Sequence, residues 1–126
     1  FGHAMGLAFQ LTDDTLDYVA AEKEFGKAIG MDIREGKITL PLIRTLARCT
    51  AGEKETIRGI VERKQATDED IAAVFGLIGK YDGIPYALDR ARTIIADGKA
   101  RLAPFRDGEA KAALLAMADF IAERTL

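Results

Sequence analysis

Three carboxylates and an amide recur at helical spacing in the run Gly6-Leu7-Ala8-Phe9-Gln10-Leu11-Thr12-Asp13-Asp14-Thr15-Leu16-Asp17-Tyr18. On an α-helix turning about 100° per residue, with Asp13 at zero, Asp17 falls at about 40°, Gln10 at about 60° and Asp14 at about 100°. Gly6 and Gly2 lie on the same arc, at about 20° and −20°. Met5, Leu7, Ala8, Phe9, Leu11, Leu16, Tyr18 and Val19 fill the remainder. The pattern predicts a helix buried nearly all round except for one strip of acid, amide and glycine. Two carboxylates about 6 Å apart repel by roughly 2–3 kcal/mol at an effective dielectric of about 20, and Asp is a mediocre helix former. Stability alone does not account for such a strip, but a cavity holding positive charge does. Mg²⁺ prefers carboxylate oxygen, keeps several waters and bridges to substrate phosphates. The alternative is a solvated acidic face whose spacing is accidental.

The next stretch, residues 22–39, is broken by Gly26, Gly30 and Gly36 and reads as a loop. Gly26 and Gly36 immediately precede Lys27 and Lys37. A loop lysine is ordinarily a solvated charge. Beside a metal-loaded acidic strip it is also a point-charge ligand for phosphate. Acid strip and glycine-lysine steps together point to a diphosphate held between metal and ammonium groups.

The run F-Q-x-x-D-D-x-x-D-Y, followed by G-K-x-x-G-x-D and E-G-K-x-T-L-P-L-I, resembles the second aspartate-rich region of the trans-type isoprenyl (polyprenyl) diphosphate synthases. The matching residues are Phe9, Gln10, Asp13, Asp14, Asp17 and Tyr18, then Gly26, Lys27, Gly30 and Asp32, then Glu35 through Ile43. A weaker likeness continues through Tyr86-Ala87-Leu88 and Ala91-Arg92. The tail Phe120-Ile121-Ala122-Glu123-Arg124 is most similar to the long-chain quinone side-chain synthases. The resemblance implies an all-α helical bundle, and residues 1–126 as the C-terminal portion of a single polyprenyl synthase domain. It implies a prenyltransferase that condenses an allylic diphosphate with isopentenyl diphosphate through Mg²⁺-assisted ionisation, working as a homodimer. Asp13, Asp14 and Asp17 would form the second metal site, Asp13 as the direct ligand. Gln10, Lys27 and Lys37 would contact the allylic diphosphate, and Asp13, Lys27 and Lys37 would carry the catalysis. Asp32 matches the family as either ligand or structural partner.

The family's first aspartate-rich motif does not occur in these residues, so the expectation is half an active site and no turnover by this chain alone. Apolar faces that would meet missing N-terminal helices are expected to be exposed, with oligomerisation one way to cover them. A non-catalytic regulatory subunit of a heteromeric prenyl diphosphate synthase is the alternative, although such subunits tend to lose the motif carboxylates retained here. A class I terpene cyclase fits less well, because it lacks the glycine-lysine loop.

The positioning elements read as helices throughout. Thr39 is the expected N-cap of a helix from Leu40 to about Cys49, with Pro41 in its first turn. A shorter helix follows from Glu53 to Lys64. Thr67-Asp68-Glu69-Asp70 is a capping start, not a metal site, for a helix to about Tyr81. Gly83 and Pro85 open a helix to about Leu102, and Glu109 to about Arg124 forms the last, with Arg124 either reaching the diphosphate region or, the preferred reading, capping its own helix end. Cys49 is expected to be a packed thiol and His3 a packed or frayed-end residue. The 126 residues, 48% hydrophobic, suffice for one core. A net charge of −2 with interspersed signs excludes a nucleic-acid footprint. A single cysteine and no apolar run of membrane-spanning length fit a cytoplasmic protein.

Overall fold

The computed structural model describes residues 1–23, 30–63 and 65–124. Seven helices and no strand occur among the described residues: α1 Gly2–Lys23, α2 Met31–Arg34, α3 Leu40–Arg48, α4 Ala51–Glu62, α5 Asp68–Lys80, α6 Gly83–Ala100 and α7 Glu109–Glu123. The all-α expectation holds. The chain divides into two compact units, Asp14–Tyr86 and Phe1–Asp13 with Ala87–Leu126.

In the unit Asp14–Tyr86 the core gathers Tyr18, Ile33, Leu42, Ile57, Ile60, Ala66, Ile71, Val74 and Ile78. α5 supplies its core residues at helical spacing, Ile71, Val74 and Ile78, all no more than 1% exposed. Capping boxes open α4 and α5. Thr50 and Glu53 exchange side-chain and backbone hydrogen bonds, as do Thr67 and Asp70. α4 therefore begins at Ala51, two residues before its expected start, because Thr50 lies three residues before Glu53. The Thr67 start of α5 is as expected. Glu53 also ties α4 to the end of α5, accepting from Lys80 Nζ at 2.5 Å and Tyr81 Oη at 2.5 Å. These bonds hold its carboxyl down at about 2. Cys49 caps α3 and packs half-buried against the core, as expected of a structural thiol.

The expected loop over residues 22–39 contains the one-turn helix α2, anchored by Ile33, which is 1% exposed. Gly30 opens it with φ +70°, and a Cβ there would lie 2.6 Å from Ile71 Cγ2. Both the conformation and the space demand glycine.

In the other unit a smaller cluster joins Met5 and Ala8 of α1 to Ile95 of α6 and to Ala118 and Ile121 of α7. The expectation that α1 is buried nearly all round is corrected here. Leu7 is 43% and Phe9 42% exposed, while Met5 and Ala8 are buried. Within this unit α1 packs along one side only, so the rest of its apolar circumference stays open. The same is true of α7, where Leu114, Met117 and Phe120 are exposed. His3 is exposed, not packed.

Candidate active site

Asp13, Asp14 and Asp17 all lie in α1, as does Gln10, so the acidic strip is helical as expected. A Cβ added at Gly2 or Gly6 would meet nothing within 4 Å. The glycine flank of the strip thus borders open space.

The geometry around Asp14 begins with α2. Its C-cap Glu35 is followed by Gly36 at φ +74°. Gly36 N–H donates to the Ile33 carbonyl at 3.0 Å, and Lys37 N–H to the Asp32 carbonyl at 2.7 Å. This is a Schellman C-cap, in which glycine supplies the left-handed residue and the chain reverses immediately after it. The glycine-lysine step is therefore a positioning device. It ends α2 and sends Lys37 back to α1, where Nζ donates to Asp14 Oδ1 at 2.8 Å. That bond is the main cause of a raised Lys37 pKa, so the side chain is an ammonium at neutral pH. Arg34 anchors the turn from the other side, donating to the Ala66 carbonyl at 2.6 Å and pairing with Asp68.

Tyr18 fixes the chain beyond Lys37. Its hydroxyl shares a 2.8 Å hydrogen bond with Thr39 Oγ1, and its ring meets Phe75 edge-on at 5.3 Å. Burial pushes the Tyr18 pKa up, partly opposed by the Thr39 bond. Thr39 does occupy the N-cap position of α3, but its side chain makes no capping bond, and its hydroxyl is bonded to Tyr18. Sequence reasoning missed this pairing. Tyr18 and Thr39 are 21 residues apart, and nothing in their spacing signals a contact. Asp32 places Oδ2 in a buried position with no hydrogen-bond partner among the described residues.

A second group of contacts surrounds Asp13. Arg124 Nη2 donates to Asp13 Oδ1 at 2.7 Å, and the guanidinium carbon lies 4.6 Å from the centroid of the Phe9 ring. Of the two readings of Arg124, its side chain follows the less favoured one and reaches the acidic strip at Asp13. Arg124 is the C-cap residue of α7 through its backbone N–H, but its charge is drawn to a carboxylate and an aromatic face, both stronger partners than a helix-end carbonyl.

Asp14 with Lys37 and Asp13 with Arg124 are each joined by an ion pair. Lys27 lies outside the described residues. Among the described residues no three His, Cys, Asp or Glu side chains converge as a metal-holding group. No helix among them is long and apolar enough to cross a membrane.

Comparison with known proteins gives this geometry its context. The polyprenyl synthetase family model matches residues 1–78. A short chain isoprenyl diphosphate synthase of Methanothermobacter thermautotrophicus is 34% identical over 98% of this chain and 38% of its own length. The crystal structure of a decaprenyl diphosphate synthase from Rhodobacter capsulatus superposes with a TM-score of 0.88 at 30% identity, over 99% of this chain and 38% of that one. A polyprenyl synthase from Caulobacter crescentus, complexed with calcium and isoprenyl diphosphate, gives a TM-score of 0.80 at 38% identity, over 98% of this chain and 38% of that one. The chain therefore spans under two-fifths of these relatives, within which it shares their fold. By its sequence match and its all-α structure, the chain belongs to the polyprenyl synthetase family.

Proposed function

We propose that this chain is the C-terminal part of a prenyltransferase that joins an allylic diphosphate to isopentenyl diphosphate, lengthening the prenyl chain by one isoprene unit per cycle. The observation that carries this reading is the return of Lys37 to Asp14 at 2.8 Å on the helix bearing Asp13 and Asp17. A loop ammonium beside an acidic strip is the pairing that a metal-bound diphosphate requires, since its oxygens face metal on one side and need a cation on the other.

The donor set fits Mg²⁺. The strip offers hard carboxylate oxygens, its glycine flank is open, and two of its carboxylates already hold cationic side chains. Asp13 would bind directly, with Asp14 and Asp17 completing the site. Bound Mg²⁺ would offset the charge that develops on the departing diphosphate. Lys37, together with Lys27, would add point charges to the diphosphate, and the Gln10 amide would orient it. As the allylic C–O bond breaks, the diphosphate leaves with the electron pair. The isopentenyl double bond then attacks the allylic carbon, and one proton is lost.

The similarity of residues 120–124 to quinone side-chain synthases supports a long-chain product. The protein would work as a homodimer, and residues 1–126 alone would be inactive, because the opposing metal motif is not among them.

The test is product analysis of the natural-length protein supplied with farnesyl diphosphate, isopentenyl diphosphate and Mg²⁺, comparing wild type with Asp13→Asn. The expected result is a ladder of longer diphosphates that falls by about 100-fold or more in the variant, the scale of losing one preorganised electrostatic contact. Metal-dependent binding without elongation would assign the regulatory-subunit role instead. Neither binding nor product would sink both readings.

A further inference from the structure

The pairing of Arg124 with Asp13 is unusual in what it occupies. Phe9 precedes Asp13 by one helical turn, so ring and carboxylate share a face of α1. Arg124 engages both, with Nη2 2.7 Å from Asp13 Oδ1 and the guanidinium carbon 4.6 Å from the ring centroid. The pair is open to solvent, with side chains 32% and 42% exposed, so a hydrated ion can reach it. The guanidinium is charged at every relevant pH, and its planar fork suits both a carboxylate and an aromatic face. It therefore satisfies the same negative charge that a divalent cation would take.

A metal ion bound directly to Asp13 and a guanidinium hydrogen-bonded to the same carboxylate would repel at close range. We infer that Arg124 is a positioning residue that holds Asp13 in the metal-free protein and is displaced when metal enters, so that the last turn of α7 responds to metal occupancy. This rests on the reading of Asp13 as the direct metal ligand. Phe9 adds directionality, because it holds the guanidinium beside the carboxylate and keeps Asp13 in a single orientation before metal arrives.

The test uses Mn²⁺ alone, without diphosphate, on the natural-length protein. Mn²⁺ affinity is read by electron paramagnetic resonance, and protection of the amides at residues 119–124 by hydrogen exchange. Arg124→Gln removes the competing cation and is expected to bind Mn²⁺ roughly 3- to 10-fold more tightly, the range set by an exposed ion pair reinforced by a ring contact. Arg124→Lys, which keeps the charge but not the fork, falls between that variant and wild type. In wild type Mn²⁺ lowers protection of residues 119–124, and in Arg124→Gln it does not.

Unchanged or weaker Mn²⁺ binding by Arg124→Gln, while Asp13→Asn abolishes it, overturns the exchange but leaves Asp13 as a ligand. Should Arg124→Gln fail to fold, the wild-type exchange experiment decides. Protection of residues 119–124 that does not move with Mn²⁺ overturns the proposal. Absence of Mn²⁺ binding by wild type overturns this inference, whereas the metal-dependent function stands or falls by the elongation assay.

Discussion

The segment Asp14–Tyr86 builds its core from nine buried residues, most of them branched, with Tyr18 edge-on to Phe75. The unit formed by Phe1–Asp13 and Ala87–Leu126 gathers only five, two of which are alanines. The difference follows from the helices. α5 presents Ile71, Val74 and Ile78 to neighbours that cover all three, whereas α7 presents Ala118 and Ile121 inward and leaves Leu114, Met117 and Phe120 open. Apolar spacing of three or four residues occurs in both. An amphipathic pattern thus identifies a face that seeks cover, and only the packing partners decide whether cover is met within the same residues. The polar contacts follow the same division. Lys37 is held at Asp14 by a capped turn, a buried tyrosine and an arginine anchor. Arg124 meets Asp13 from a helix end with half-exposed surroundings.

The strongest way to break this comparison is to remove volume from the larger core. Leu42 is fully buried, and Leu42→Ala is expected to destabilise by about 2–5 kcal/mol in denaturant unfolding. A loss below about 1 kcal/mol would mean that the core is looser than its burial implies. Tyr18→Phe leaves the 4%-exposed Thr39 hydroxyl without its partner. It is expected to cost about 1–3 kcal/mol, and to weaken diphosphate binding as well if the Tyr18–Thr39 bond is what steadies Lys37.

Glu53 sharpens the comparison through pH. Its folded pKa of about 2 lies below the ordinary 4.5, so the unfolded chain takes up the proton first as pH falls. The contribution is therefore fully present above about pH 4.5 and is lost as pH drops towards 2. Comparing wild type with Glu53→Gln in unfolding experiments from pH 7 to pH 2 should show a stability gap that closes across that window. A gap independent of pH would show that the carboxylate charge is not what Lys80 and Tyr81 recognise. The smallest effect is expected on α7, where Phe120 is 62% exposed. Phe120→Ser should change stability by no more than about 0.5 kcal/mol in this chain. A loss above about 1 kcal/mol in the natural-length protein would show that this face is covered there.

Several features of the fold were legible because they depend on neighbours in sequence. The Thr67 capping box, the proline in the first turn of α3 and the start of α7 at Glu109 are local matters of caps and backbone angles. Thr50 and Glu53 carried the same signal, and reading it would have placed the start of α4 correctly. The one-turn α2 was hidden by its own glycines, which read as loop although Gly30 opens the helix and Gly36 closes it. Lys37 stood out through its glycine-lysine step, but the Schellman turn that aims it at Asp14 was not legible. For Arg124 the helix end was the favoured partner and the distant site the alternative, because a sequence shows the near partner directly and Asp13 lies 111 residues away.

The sequence by itself determined the all-α class, the starts of α3, α5 and α7 and the placing of Asp13, Asp14 and Asp17 on one helix, because these follow from backbone geometry and spacing within a few residues. Tertiary structure alone decided which cations Asp13 and Asp14 hold, which hydroxyl Tyr18 engages and which apolar faces stay open. Those outcomes depend on side chains brought together from distant positions, and the free energy of each such contact is set by the competing partners that packing brings within reach.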